Sequence, residues 1–405
     1  VHTPAHPGRP ARWYPLLVAA VAVGIANSVI FSLLSNLQDE YGFSDAGLGL
    51  IAGSGFVTGL IGQVLLAPLA DRGHAKTLVL AGLGMAVVGS VLFAAASSLL
   101  TLVLARMTVG LSNSLYAPAA RAIVISVDER DVAKRLGTLN GVELAGFVTG
   151  PVIGSLLVGP TGIRVPFLAA GSIALVGGLL LAPMRLPVPP TDSRHRLAFD
   201  LLRLPRIRAG VLMAVALFLP IGFYDATLDR YLTDLGGSDT IIGFTFLAYG
   251  IPFALLATRG GMLAESRGAM KVAVVGTVVV VPLTVAYGFV EVPLLILMLS
   301  AVEGVIQAMA VPASQAILAH HAPLGRAAAA QGLAGAATLL IAAITAFAAG
   351  LIYGALGPEW MFTIAGAAML LIVYLAVLSY RQAGADDAAA AAAVGGVGAD
   401  EPLVS

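Results

Sequence analysis

The sequence predicts an all-α membrane protein in which twelve transmembrane helices form two pseudo-symmetric bundles of six. Three observations carry that reading. Of the 405 residues, 59% are apolar and 11% are charged, whereas soluble domains carry about 25% charged residues. Apolar stretches long enough to cross roughly 30 Å of hydrocarbon recur along the chain. The second half of the chain also repeats landmarks of the first at a fixed spacing. A soluble fold of this size must still cover itself with polar groups, so it has nowhere to hide so much apolar surface.

In order, the stretches of the first half run from Pro15 to Leu37, Gly47 to Ala70, Thr77 to Ser97, Leu99 to Val127, Leu136 to Val158 and Val165 to Pro183. Those of the second half run from Ala209 to Leu228, Ile241 to Thr258, Met270 to Val290, Leu294 to Ala319, Ala327 to Tyr353 and Trp360 to Tyr380. The first follows Arg9 and Arg12 but is longer than the apolar core of a secretory signal and ends without a cleavage site, so a retained helix is expected. Charge placement tests the count. With a cytoplasmic N-terminus, Arg164 and Arg230 are the only basic residues in outer connections and Arg106 lies within a helix. This asymmetry obeys the positive-inside rule and places both termini in the cytoplasm of an inner-membrane protein.

The expected organisation is a cytoplasmic segment over residues 1–13, a six-helix bundle over 14–184, a cytoplasmic linker over 185–208, a second bundle over 209–382, and a disordered cytoplasmic tail over 383–405. The linker carries Pro187, Pro189, Pro190 and several arginines, and the tail is rich in Ala and Gly. An offset of 194 residues pairs Ser44-Asp45 with Ser238-Asp239, Gly49 with Gly243, Asp71 with Glu265 and Gly110 with Gly304. It also pairs Pro118-Ala119 with Pro312-Ala313, Ala122-Ile123 with Ala316-Ile317, and Gly141 with Gly335. Two related bundles suit alternating access, in which each rocks about a central site.

Two loops carry a family resemblance. After helix 2 the chain reads Ala67-Pro68-Leu69-Ala70-Asp71-Arg72-Gly73-His74-Ala75-Lys76, and after helix 8 it reads Gly261-Met262-Leu263-Ala264-Glu265-Ser266-Arg267-Gly268. With the six-plus-six arrangement, these resemble the acidic and basic loops of the major facilitator superfamily, although both glycines of the first copy are displaced. The resemblance covers Tyr14 to Tyr380 and implies a conformational latch built from Asp71, Arg72, Lys76, Arg121, Glu265 and Arg267. Charges that merely cap helices and orient the topology are the alternative.

Helix 5 contains Gly146, Gly150, Pro151 and Gly154, followed by Ser155. This is similar to the glycine-proline signature of the drug:proton antiporters in that superfamily, with Ser155 in place of the final glycine. The bare physical alternative is a smooth stripe that admits a neighbouring helix. Arg106 and Gly110 in helix 4 resemble a pattern of the exporting members, and Asn113 shares their face. A buried Arg is costly in a bilayer and should face a cavity or a carboxylate, unless it snorkels to the surface.

The other intramembrane acids are Glu143, Asp225, Asp229 and Glu303. Glu303 lies nearest the midplane, about 15 Å deep at 1.5 Å per residue, with Gln307 one turn further on. Withdrawal from water favours the neutral form of a carboxyl group, so a buried acid can exchange a proton as its surroundings change. Glu303 is the first candidate for that role and Glu143 the second, with pairing to Arg106 as the competing explanation for Glu143. Asp225 and Asp229 sit one turn apart near the outer end, and Asp229 is expected to be a surface acid. Asn27 of helix 1 is a further candidate polar contact.

All six His fall in cytoplasmic segments, there is no Cys, and no phosphate-binding loop is present. Enzyme chemistry, a resident metal, an organic cofactor and a nucleic-acid partner are therefore not expected. The expected partners are a small-molecule substrate, protons and the bilayer, with the proton gradient as energy source and a monomer as the working unit. The resemblance implies proton-coupled efflux of drugs or amphipathic metabolites. An importer or facilitator of a small nutrient such as a sugar or organic acid is the alternative, and a non-transporting sensor or scaffold is a second.

Overall fold

The computed structural model describes residues 14–66, 69, 73–127, 132–184, 186, 199–323 and 326–397. Helix 1 is Tyr14–Ser28, followed by a tighter turn over Val29–Ser32 and a half-helix Leu34–Tyr41. Helices 2 to 6 are Asp45–Leu65, Ala75–Ala95, Leu99–Val127, Val132–Thr161 and Arg164–Leu181. Helices 7 to 10 are Pro205–Asp234, Asp239–Arg267, Ala269–Tyr287 and Pro293–His321. The last helical stretch, Ala327–Val397, breaks at Gly357, where φ is 83°. Glycine takes that left-handed turn without a Cβ penalty, and Pro358 then starts helix 12 with a preset φ. Among the described residues twelve spans result, in a multi-pass membrane protein, with the start of helix 1 and the end of helix 12 on one face, called proximal below, and the opposite face called distal.

Local chemistry explains why the repeats begin where they do. Helices 2 and 8 each start with Ser at the cap and Asp in the first turn, Ser44-Asp45 and Ser238-Asp239, an arrangement that favours a helix start. In helix 8 the Ser238 hydroxyl accepts the Ile241 N–H at 3.4 Å. Helix 12 runs on to Val397, through the stretch from Ala383 expected to lack structure. Alanine, which fills much of this stretch, has the highest helix propensity of any residue type. Residues 1–13 and 398–405 lie outside the described residues. The linker between the halves ends in a short turn, Phe199–Arg203, with Leu201 buried, so that helix 7 starts four residues earlier than expected. The Arg326 guanidinium grips the exposed Asp200 carboxylate at 2.5 and 2.9 Å and holds its pKa below the ordinary value.

Each bundle has its own apolar core. The first gathers Leu16, Val23, Leu83, Tyr116 and Ile123, and the second gathers Phe223, Tyr231, Tyr287, Met361 and Phe362. Leu100, Leu179, Leu255 and Leu351 stand exposed around the outside, as a lipid-facing surface requires.

The duplication is visible as geometry. A Cβ on Gly110 would overlap the backbone of Gly55, and one on Gly304 would overlap the backbone of Tyr249. Both residues of the second contact lie 194 positions after those of the first, so helices 2 and 4 meet as helices 8 and 10 do. Between the halves, Gly49 and Gly350 close the seam of helices 2 and 11, while Gly243 packs on Pro151 and Ser155 in the seam of helices 5 and 8. These seams are the same contact seen from the two sides of the pseudo-twofold axis.

Candidate functional site

Two polar clusters lie inside this apolar frame, one within the second bundle and one where the halves meet. Glu303 centres the first and is 1% exposed. Tyr224 of helix 7 donates its hydroxyl to both carboxylate oxygens at 3.2 Å. Gln307, one turn along helix 10, donates Nε2 to Oε1 at 2.8 Å. The Gln307 carbonyl oxygen in turn accepts the Tyr249 hydroxyl of helix 8 at 3.1 Å, which fixes the amide's orientation. The Tyr287 ring of helix 9 packs on that of Tyr224, with 5.3 Å between the ring centres. Phe362 packs on both Tyr224 and Tyr287. Among the described residues, Glu303 has neutral donors around it and no ion pair.

The second cluster begins with Arg106, 2% exposed. Its Nη1 donates to the backbone carbonyl of Asn27 at 2.6 Å and to Asn27 Oδ1 at 3.0 Å, and its guanidinium lies 4.7 Å from the centre of the Phe31 ring. Gly55 makes the room, since a Cβ there would sit 3.0 Å from Arg106 Cζ. The guanidinium Nε is buried without a partner among the described residues. Asp225 of helix 7 faces Arg106 across the interface at coulombic range, without ion-pair contact. Arg106 thus turns inward, and the snorkelling alternative does not describe it. Asn27 makes the helix-to-helix contact, whereas Asn113 is exposed and stands apart from both clusters.

Asp229 corrects an expectation. It is 1% exposed, and its carboxylate accepts the Ser35 N–H and the Ser35 hydroxyl, each at 2.8 Å. Sequence spacing placed it near a helix end, but the face it occupies is covered by helix 1 of the other half. Around it, Thr233 donates to Ser35 at 3.0 Å, Arg230 reaches Asp39 at 2.6 Å and Asp234 at 2.5 Å, and Tyr353 donates to Asp234. All of these groups lie at the distal ends of helices 1, 7 and 11, which they pin together.

Glu143 pairs with Arg121 at 3.1 Å, so Arg106 is not its partner. That pairing also occupies the Arg121 guanidinium, which the latch reading assigned to the helix 2–3 loop. Asp71 and Arg72 of that loop lie outside the described residues. Lys76 donates to the carbonyls of Ala182 and Met184 at 2.8 and 2.7 Å, a cation against the C-terminal end of helix 6. Glu265 and Arg267 are exposed and form no ion pair among the described residues.

The glycine stripe of helix 5 faces helix 1. A Cβ on Gly146 would crowd the Val21 backbone, one on Gly150 would crowd Ile25 and Val29, and one on Gly154 would come 2.9 Å from the Val29 carbonyl. Ser32 donates to the Pro151 carbonyl at 2.7 Å, at the tight turn that interrupts helix 1. Ser155 fits because the opposing residue on helix 8 is Gly243.

Sequence reasoning missed Tyr224, Tyr249, Tyr287 and Thr284, because single aromatic or hydroxyl residues on apolar helices carry no pattern. It also missed the Ser35–Asp229 bond, for which a signal existed: the two residues are 194 apart and so are counterparts in the repeat.

A family model described as the Major Facilitator Superfamily matches residues 16–228 and 210–399. Multidrug resistance protein MdtG of Salmonella paratyphi C (strain RKS4594) is 26% identical over 284 residues, which cover 67% of this chain and 70% of that protein. Among solved structures, a bacterial homolog of the human lysosomal transporter Spinster, inward-facing and unoccupied, aligns with a TM-score of 0.71 at 17% identity, over 92% of this chain and 96% of that one. A D-xylose-proton symporter aligns with a TM-score of 0.73 at 15% identity, over 89% of this chain and 96% of that one. At these identities the solved structures speak for the fold alone.

Proposed function

The chain belongs to the Major Facilitator Superfamily and is a membrane transporter for small molecules; we propose that it is a proton-coupled exporter of drugs or amphipathic metabolites, acting by alternating access in the cytoplasmic membrane. In this reading the proximal face is cytoplasmic, the distal face is outside, and the arrangement pinned at Asp229 and Ser35 is closed to the outside. The observation that carries the proposal is Glu303, a buried carboxylate held only by neutral donors within one of two bundles that must move against each other. An acid in such a place binds a proton reversibly when water reaches it from alternate sides. Asp225 and Arg106, facing each other across the interface, tie the other half to the same helix, since Asp225 adjoins Tyr224. The similarity to a multidrug resistance protein and the helix 5 glycines favour export of amphipathic compounds. The latch role of Asp71, Arg72, Lys76, Arg121, Glu265 and Arg267 at the cytoplasmic face belongs to the same proposal.

The test is reconstitution in liposomes with an imposed pH gradient, following lumenal pH while lipophilic cations and neutral drugs are added. Wild-type protein should move protons when a substrate is added, and Glu303→Gln should not. Silence of folded wild-type protein across the panel would overturn the drug-export reading. Uptake of a sugar or organic acid down the proton gradient would replace it with nutrient import.

A further inference from the structure

The hydrogen-bond network around Glu303 can satisfy that side chain in both of its protonation states with every heavy atom in place. In the ionised state both carboxylate oxygens accept, from Tyr224 at 3.2 Å and from Gln307 at 2.8 Å. The protonated state needs one new acceptor, because a carboxylic acid donates one O–H. Gln307 cannot provide it. Its carbonyl oxygen points to Tyr249, and presenting it to Glu303 would require turning the whole amide and reversing the Tyr249 hydroxyl, which moves heavy atoms. Tyr224 can, because a phenol both donates and accepts. Its oxygen also lies 3.3 Å from Thr284 Oγ1 on helix 9. The Thr284 hydroxyl proton has its own outlet toward Met369 Sδ, at 3.8 Å.

We propose that Tyr224 and Thr284 are positioning residues for proton exchange at Glu303: when the carboxylate takes up a proton, the Tyr224 hydroxyl reverses its role and passes its own hydrogen bond to Thr284. The step balances simply. One proton delivered by hydronium, which leaves as water, forms the Oε2–H bond, Oε2–H donates to the Tyr224 oxygen, and the Tyr224 hydrogen rotates from the carboxylate to Thr284 Oγ1. Gln307 stays on Oε1 throughout, held by Tyr249. The inference rests on the reading of Glu303 as the proton site. The titratable groups that face Glu303 are Tyr224 from helix 7, Tyr249 from helix 8 and Tyr287 from helix 9. Helix 12 contributes Phe362 and Met369 around this shell, neither of which titrates. Among the described residues no charged group reaches the carboxyl from these elements. The proton balance at Glu303 is thus set by hydrogen-bond supply, and removing a single partner should tilt it in a direction fixed by that partner's role.

Thr284→Val removes the acceptor that only the protonated state uses, so protonation should require a lower pH. Gln307→Met removes a donor that favours the ionised state most, because bonds to charged acceptors are the stronger ones, so protonation should occur at a higher pH. Each shift should be about one pH unit, the size expected for one hydrogen bond. The measurement is infrared difference spectroscopy on purified protein across a pH titration. It follows the carbonyl band of the protonated carboxyl group that disappears in Glu303→Gln, and therefore needs no substrate. Thr284→Ser keeps the hydroxyl and should restore the wild-type midpoint, which separates the relay from a packing effect. Opposite shifts with rescue by serine are the expected result. A titrating Glu303 band whose midpoint ignores both variants, or moves the same way in both, would overturn the relay while leaving Glu303 as the proton site. A band that never titrates would overturn the proton reading itself.

Discussion

Asp229→Ala should open the distal side of the molecule. The Asp229 carboxylate takes both donors of Ser35, each at 2.8 Å, in a site that is 1% exposed. The neighbouring Arg230–Asp39 pair joins the same two helices, but Asp39 is 62% exposed and such pairs contribute little in water. The Ser35–Asp229 bonds therefore carry most of the polar hold. In the open state all four groups regain water, so the net difference is about 1 kcal/mol per bond, or about 2 kcal/mol in total. That corresponds to a roughly 30-fold change in the ratio of distal-open to distal-closed molecules. If the open form is about 1% populated in the wild type, it should rise to about a quarter of the population. The chain contains no Cys, so spin labels can be placed by adding cysteines at the exposed Glu40 and Ser238 without deleting any. Pulsed electron resonance should then resolve a second, longer distance in Asp229→Ala. An unchanged distance distribution in folded protein would refute the assignment of this cluster as the distal lock.

Arg106→Lys keeps the charge but loses the planar guanidinium that lies over the Phe31 ring while Nη1 reaches both oxygens of Asn27, and should lower substrate-driven transport about tenfold or more while leaving the melting temperature within a few degrees. Counterflow in proteoliposomes alongside thermal unfolding measures both, and full activity of the lysine variant would show that charge alone suffices. Gly150→Leu should be among the most damaging single changes in helix 5, because a Cβ at that position already meets backbone atoms of Ile25 and Val29 at 2.9 Å. A loss of about 2 kcal/mol or more is expected from overpacking, read as a lower midpoint of thermal unfolding in detergent, and a melting curve like the wild type's would contradict the close contact. The Arg326 guanidinium lowers the folded pKa of Asp200, so any stability from this exposed pair is present above the unfolded pKa and lost as pH falls through the folded one. Asp200→Asn should leave stability near neutral pH almost unchanged, and should flatten whatever acid dependence below the ordinary carboxylate range arises from this pair.

What could be read from the sequence was set by how many residues shared in the signal. Span number and the repeat each draw on dozens of positions, and the twelve helices follow the expected stretches closely. Helix ends depended on one or two residues, so helix 7 began earlier than expected at Pro205, and helix 12 ran past Tyr380. Glu303 and Arg106 were visible as charges where lipid forbids them. Their partners were not, because which face of helix 7 meets helix 1 or helix 10 is decided by the packing of the whole bundle. Asp229 shows the cost of that gap, since its spacing suggested a surface and only the position of Ser35 revealed an interior. Glu143 was the second candidate for the proton site, with pairing to Arg106 as the competing explanation, whereas its partner is Arg121, set by the crossing of helices 4 and 5.

The two halves share a scaffold and divide its polar content unequally. At the offset of 194 that relates Ser35 to Asp229, the counterparts of Glu303, Tyr224, Tyr249 and Tyr287 are Val109, Ile30, Gly55 and Phe93. The first half therefore has no second carboxylate cage. In the opposite direction Arg106 corresponds to Ser300, and Phe31, which lies beneath the guanidinium, corresponds to Asp225. The glycine that makes room for Arg106 in one half is the tyrosine that orients Gln307 in the other. A duplicated bundle that kept equal chemistry in both copies would place like charges on either side of the axis, where they repel and separate the halves. Arg106 in one copy and Asp225 in the other are opposite charges instead, which attract across the interface. Glu303, by contrast, has only neutral donors on its carboxylate and no cation among the described residues.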